Sequence, residues 1–256
     1  MARILVTGGA GFLGAAIVEA LAARGDEPSA LDLAPGERLL ELQAAYPAIA
    51  FHAAEITEWA RIAAILRDTR PGAIVHCAAV VGVPASVSAP YRTFQVNVEG
   101  SLHLLEAMHL FGIPRMVHIS SEETYGPFQS AMAAEDHPQR PLMPYGISKL
   151  AVEQLGRSYR ELHGIECIHL RTSWVYGPRL PRARIPKTLV DAALQGRPLH
   201  LPTGAEFAVD HTHVQDVVQG VLLVYVIWFV LVMLVVDLCY AAIDPRVRIT
   251  GRRTTG

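Results

Sequence analysis

The sequence predicts an α/β fold, a mostly parallel sheet with helices on both faces and a small or truncated C-terminal substrate cap. Three observations carry this expectation. Short apolar runs alternate with helix-length segments over the first 177 residues, the first run enters a glycine-rich turn, and the second ends near an acid. Strands joined by helix-length crossovers pair in parallel and are covered on both faces. With 51% hydrophobic and 18% charged residues the chain can bury one large core, which excludes a mostly disordered protein.

The elements follow in order. Arg3 to Thr7 reads as a buried strand, Gly8 to Gly14 as a turn, and Ala15 to Ala23 as a helix ending near Gly25. Pro28 to Leu33 is the second strand. Tyr46 to His52 is strand-like, Trp59 to Arg67 helical, Ala73 to Ala78 a strand, Thr93 to Phe111 a helix and Arg115 to Ser120 another strand. A long helix over Tyr145 to Leu162 and a strand over Glu166 to Arg171 complete a sheet of at least six strands. Beyond Gly177, prolines at 178, 181, 186, 198 and 202 leave room for a short helix around Lys187 to Leu194 and a small strand near Pro198 to Leu201. The expected division is a nucleotide-binding domain over 1–177 and a partial cap over 178–256, with core and cap free to interleave.

Composition narrows the function. The 22 basic and 24 acidic residues leave a formal charge of -2, so nothing in the whole-chain charge favours nucleic acid, and a small polar metabolite is the expected partner. Cys77, Cys167 and Cys239 stand singly without C-x-x-C spacing, which argues against a disulfide framework or cysteine-rich zinc site and for a cytoplasmic protein with buried thiols. The opening MARILVTGG lacks the features of a secretory signal. His211 and His213 have strand spacing but no assigned third ligand, so no metal is expected. Val221 to Val236 is a continuous apolar run, shorter than the roughly 18 to 20 residues that cross a bilayer, and a buried helix or strand pair is preferred to a membrane segment.

The turn after the first strand, Thr7-Gly8-Gly9-Ala10-Gly11-Phe12-Leu13-Gly14, sets Gly8, Gly11 and Gly14 three apart. Glycine permits the tight turn and a close backbone approach, while the following helix offers unpaired amides to a pyrophosphate. Phe12 and Leu13 belong to the same segment. Following a strand and opening a helix, it points to a Rossmann-type sheet. Asp32, ending the second strand, can accept from ribose hydroxyls and repel a 2′-phosphate, which favours NAD over NADP; Arg38 nearby is the opposing phosphate partner. Glu55 and Ile56, after the third strand, are placed to meet the adenine.

Tyr145 and Lys149 lie four apart, hence on one helix face. An ammonium beside a tyrosine stabilises the phenolate and allows proton exchange with a substrate hydroxyl. Ser121, at the end of a strand, is the candidate to hold the substrate oxygen, although Ser120 or Ser121 can equally satisfy local backbone groups. Glu122 and Glu123 follow as a paired acid/base candidate.

These motifs together resemble the extended short-chain dehydrogenase/reductase family over the first 177 residues, in particular its NAD-dependent nucleotide-sugar epimerase and dehydratase branches. The resemblance implies that Gly8, Gly11 and Gly14 hold NAD, that Tyr145 is the base, and that Lys149 holds ribose and lowers the tyrosine pKa. It likewise gives Ser121 the completion of the proton-transfer site. Further segments agree: Val75-His76-Cys77-Ala78-Ala79 beside the cofactor, Asn97-Val98-Glu99-Gly100 on the next helix, and Val175-Tyr176-Gly177-Pro178-Arg179 at the sheet edge. Ser121 to Gly126 is similar to a dehydratase signature in which Glu122 assists departure of hydroxide and Glu123 is the base at the sugar carbon. A 4-epimerase needs neither glutamate. The resemblance also implies a homodimer through the helices near Asn97 to Leu110 and Tyr145 to Leu162.

Two departures bear on the substrate. Trp174 stands where these enzymes commonly place asparagine, and Val209 where they often have a phosphate-binding arginine; Arg179, Arg182, Arg184 and Lys187 are the alternative cations. The family also continues through a larger lobe than the residues left before Gly256. A nucleotide-sensing protein that binds NAD without turnover is therefore the competing expectation.

Overall fold

A computed structural model describes residues 1–130, 132–181, 185–198 and 210–224. Six parallel strands form the central sheet: β1 (Arg3–Thr7), β2 (Glu27–Asp32), β3 (Ala50–Ala53), β4 (Ala73–His76), β5 (Arg115–Ser121) and β6 (Glu166–Thr172), in spatial order β3-β2-β1-β4-β5-β6. The order reverses between β1 and β4, so the loops leaving those two strands diverge and open a crevice at their C-terminal ends.

Alternation along β1 shows how the strands serve two layers. Ile4 and Val6 face one apolar cluster with Ile17, Val18 and Leu21 of α1 (Phe12–Ala23) and Leu39 of α2 (Gly36–Ala45). Leu5 faces the other, with Ile62 and Leu66 of α3 (Trp59–Thr69). After β4 the chain makes two short helices that each start with a proline in the first turn, α4 (Val83–Ser88) and α5 (Pro90–Phe94). A π-turn over Gln95–Glu99 then leads into α6 (Gly100–Phe111). The single helix expected from Thr93 is thus three segments, because the π-turn interrupts the α-helical ladder.

Helix α7 (Pro144–His163) runs from Tyr145 to the start of β6 and buries Val152 and Tyr159. A second sheet pairs β7 (Trp174–Tyr176) in parallel with β8 (His211–His213), on either side of α8 (Ile185–Leu194). The helix over 214–224 returns to the main sheet and adds Val217, Val218 and Val221 to the cluster that holds Ile4 and Val6. Cys77 and Cys167 are partly rather than fully buried. Arg182, Arg184, Val209, Cys239, the strand expected near Pro198 to Leu201 and most of the apolar run from Val221 lie outside the described residues. No described helix is long and apolar enough to cross a membrane.

Candidate active site

The crevice at the reversal point is a cleft of about 990 Å³. One end is the glycine turn. Gly8 has φ +67°, and a Cβ there would lie 2.8 Å from the Ala78 amide nitrogen, so the β1 and β4 loops meet only because the side chain is absent. At Gly14 a Cβ would sit 2.0 Å from the Gly8 carbonyl oxygen. Helix α1 starts at Phe12 with no side-chain cap and no acid in its first turn, leaving its amides for an anionic ligand. Asp32, half-buried, accepts the Ala10 amide on Oδ2 at 3.1 Å and the Leu33 amide on Oδ1 at 2.8 Å, which fixes the carboxylate at the cleft. A turn with no room for a Cβ, a helix start with free amides and a fixed acid fit a dinucleotide.

Gly8, Gly11, Phe12, Leu13, Gly14, Asp32, Glu55, Ile56, Ala78 and Ala79 all line this cleft. The Glu55 carboxylate is paired with Arg92, another lining residue. Asn97 stands behind the wall. Its amide group bonds both the nitrogen and the oxygen of Val80 and donates to Ser148 Oγ at 2.9 Å, and Ser148 donates to the Tyr145 carbonyl at 2.7 Å. It therefore ties the β4 loop to α7. Arg38 is held by Glu19 and Glu41, with burial offsetting part of the rise in its pKa.

At the other end of the same cleft are Ser121, Glu122, Glu123, Tyr145 and Lys149. Ser121 ends β5 and caps a single 3₁₀ turn, Glu122–Thr124, by accepting the Glu123 amide at 3.2 Å. That turn displays both glutamates. Burial, then the neighbouring Glu123 and Asp210 carboxylates, push the Glu122 pKa up to about 7; burial also raises that of Glu123. Tyr145 sits in the first turn of α7, and the Lys149 Nζ lies 6.0 Å from its ring centre. Lys149 is buried and donates to the Ile119 carbonyl at 2.7 Å; burial lowers its pKa to about 8 against the pull of Cys77 and Glu153.

A partly buried ion pair supports this end. Glu153 accepts from Ser120 Oγ at 2.6 Å, from Gln139 at 2.8 Å and from Arg171 at 2.8 Å. Ser120 thus serves a side chain one turn below Lys149 rather than a backbone group. Glu153 lies one further turn along the Tyr145 and Lys149 face, a spacing that places it on that face without revealing its partners. Trp174 lines the cleft too. Among the other cations named above, Arg179 is paired with Glu41 and Lys187 with Asp191. No group of three metal-ligating side chains occurs among the described residues.

Fold and cleft define a dinucleotide-binding scaffold with a tyrosine and lysine pair at the end of the cleft away from the glycine turn. Residues 4–226 match the NAD dependent epimerase/dehydratase family, and the chain belongs to it. It is 34% identical to a UDP-glucose 4-epimerase of Mycolicibacterium smegmatis, over 85% of this chain and 71% of that protein. A dTDP-glucose 4,6-dehydratase of Neisseria meningitidis is 32% identical, over 78% and 60% of the two chains. Among solved structures, the UDP-glucose 4-epimerase of Thermotoga maritima with UDP-glucose superposes with TM-score 0.79 and 30% identity, over 87% of this chain and 72% of that one. A dTDP-glucose 4,6-dehydratase of Streptomyces venezuelae with NAD bound gives 0.78 and 31%, over 87% and 71%. The chain spans between about half and seven-tenths of the curated relatives it matches. NAD is the family's cofactor, and the extended short-chain dehydrogenase/reductase resemblance holds.

Proposed function

We propose that the protein is an NAD-dependent nucleotide-sugar 4,6-dehydratase, with 4-epimerisation as the second reading. The observation that carries the proposal is that Ser121, Glu122, Glu123, Tyr145 and Lys149 share one cleft with the glycine turn and Asp32. Gly8, Gly11, Phe12, Leu13 and Gly14 hold the pyrophosphate, Asp32 the adenosine ribose, Glu55 with Ile56 the adenine, and Ala78 and Ala79 the inner wall, which Asn97 braces. Bound NAD supplies a hydride acceptor that later returns what it took. Tyr145 takes the sugar hydroxyl proton while Ser121 holds the oxygen, and the Lys149 ammonium stabilises the phenolate.

In the dehydratase reading Glu123 removes the proton beside the resulting ketone. Glu122, whose pKa near 7 leaves it substantially protonated in neutral solution, gives a proton to the departing hydroxide. Two carboxyls in unlike environments can divide acid and base duties in this way. The epimerase reading is favoured by the 34% identical relative and leaves both glutamates idle. We place the working boundary at Gly177, with 1–177 holding the cofactor and the substrate cap following, and we propose a homodimer.

A panel of nucleotide sugars incubated with the NAD-loaded protein, read by product mass, tests the proposal. Loss of water, about 18 mass units, that disappears in Glu123→Gln and Tyr145→Phe is the expected result. Unchanged mass with one inverted hydroxyl, insensitive to Glu123→Gln, replaces dehydration by epimerisation. NAD binding with no turnover of any sugar overturns both in favour of a sensor.

A further inference from the structure

A row of buried imidazoles beneath Lys149 takes no part in this chemistry. His118, on β5, is 1% exposed. Its Nε2 lies 3.4 Å from Lys149 Nζ, and its Nδ1 lies 3.1 Å from Nδ1 of His169 on β6. His169 is only partly buried and lines a second cleft, of about 1360 Å³, that adjoins the first at Glu122, Glu123, Ser173 and Trp174, reaches Arg157 and Cys167, and is not lined by Tyr145 or Lys149. A third ring, His76, stacks on His118 with centroids 5.6 Å apart, but both its nitrogens are engaged, by Thr7 Oγ1 at 2.7 Å and Ser101 Oγ at 2.8 Å. His76 is thus fully engaged, whereas His118 and His169 join Lys149 to the second cleft.

We propose that His118 and His169 are a proton outlet, joining the Tyr145 and Lys149 pair to water in the second cleft while NAD occupies the first. The inference rests on Tyr145 acting as the base. The Lys149 ammonium gives a proton to His118 Nε2, His118 passes its Nδ1 proton to His169 Nδ1, and the His169 Nε2 proton leaves to water. Neutral Lys149 then takes the phenol proton, so the net change is one phenolate formed beside an ammonium and one proton released. Flow in the opposite direction restores both tautomers.

The surroundings favour transfer between neutral rings. His118 is faced by Lys149 from α7, His76 from β4 and His169 from β6; His169 is faced by Glu153, Arg157 and Lys149 of α7, Arg171 of β6 and His118 of β5. Burial, aided by these cations and opposed at His169 by Glu153, keeps both imidazoles uncharged, His169 down to about 4. No imidazolium therefore rests on the path, and each ring gives up one proton for the one it takes. Lys149, at about 8, is the group able to give up its proton near neutral pH.

The test is a stopped-flow pH jump on the NAD-loaded protein, following tyrosinate absorbance. The phase due to Tyr145 is identified by its loss in Tyr145→Phe. It is expected to slow by about tenfold or more in His169→Gln, whose amide keeps a hydrogen bond but cannot relay a proton. Added imidazole, and not salt of equal ionic strength, is expected to restore it in His169→Ala. Because His169 lies at the partly exposed end, these variants avoid replacing the fully buried His118. An unchanged rate in His169→Gln overturns the outlet and leaves Tyr145 as base. If no phase is lost in Tyr145→Phe, the base assignment is overturned, and the outlet with it.

Discussion

Asp32 illustrates how much one side chain's surroundings decide. Its two oxygens are oriented by the Ala10 and Leu33 amides, so the carboxylate is presented at the cleft without needing a cation. Arg38, the candidate for a 2′-phosphate, is occupied by two glutamates. Asp32→Arg should therefore weaken NAD about tenfold or more and narrow the gap to NADP, because it removes an acceptor and places a cation where a phosphate would fall. Parallel titrations check this, and equal NAD affinity in both proteins would count against Asp32 as a ribose ligand. The glycines, Asp32, Tyr145 and Lys149 could be read from the sequence because their chemistry is tied to local spacing. Glu153 with Ser120 and Arg171, and His118 with His169, could not, since each contact joins residues far apart in the chain.

At the scale of elements, α6 and α7 lie side by side on one face, joined through Tyr159 and Glu106 and through His109 against His163, with ring centroids 3.9 Å apart. Leu110 and Leu162 remain 58% and 72% exposed on these helices. A second copy of the pair would cover them, and a molar mass twice that of the chain is expected from light scattering across a concentration series. A monomer at every concentration defeats this. The strands β1, β4 and β5 and the helices α1, α3 and α7 are legible in the sequence because burial on both faces makes continuous apolar runs and a single buried stripe makes helical periodicity. Helix α2 and strands β7 and β8 are not among the expected elements, and β3, only partly buried, begins at Ala50 rather than at the expected Tyr46. The α4, α5 and π-turn segment is not legible, since pieces of five or six residues beginning at Val83, Pro90 and Gln95 are too short to display a period.

For the whole molecule, the decisive packing is that of the 214–224 helix. Val217, Val218 and Val221 come from beyond Gly177 yet share one apolar cluster with β1, α1 and α2, the elements that carry the glycine turn and Asp32. A boundary drawn by function at Gly177 is therefore not a boundary in the core. Two segments that bury the same surface unfold together, and a ligand that binds only the folded state stabilises all of it, by about 2.7 kcal/mol at a hundredfold excess over its Kd. Calorimetry should accordingly give one transition whose midpoint rises with NAD. Val218→Asp, which buries a charge with no partner in that cluster, should lower the same single midpoint while leaving its response to NAD in place. Two transitions, one of them indifferent to NAD, would mean that the cap folds by itself and that the shared valines do not couple it to the cofactor domain.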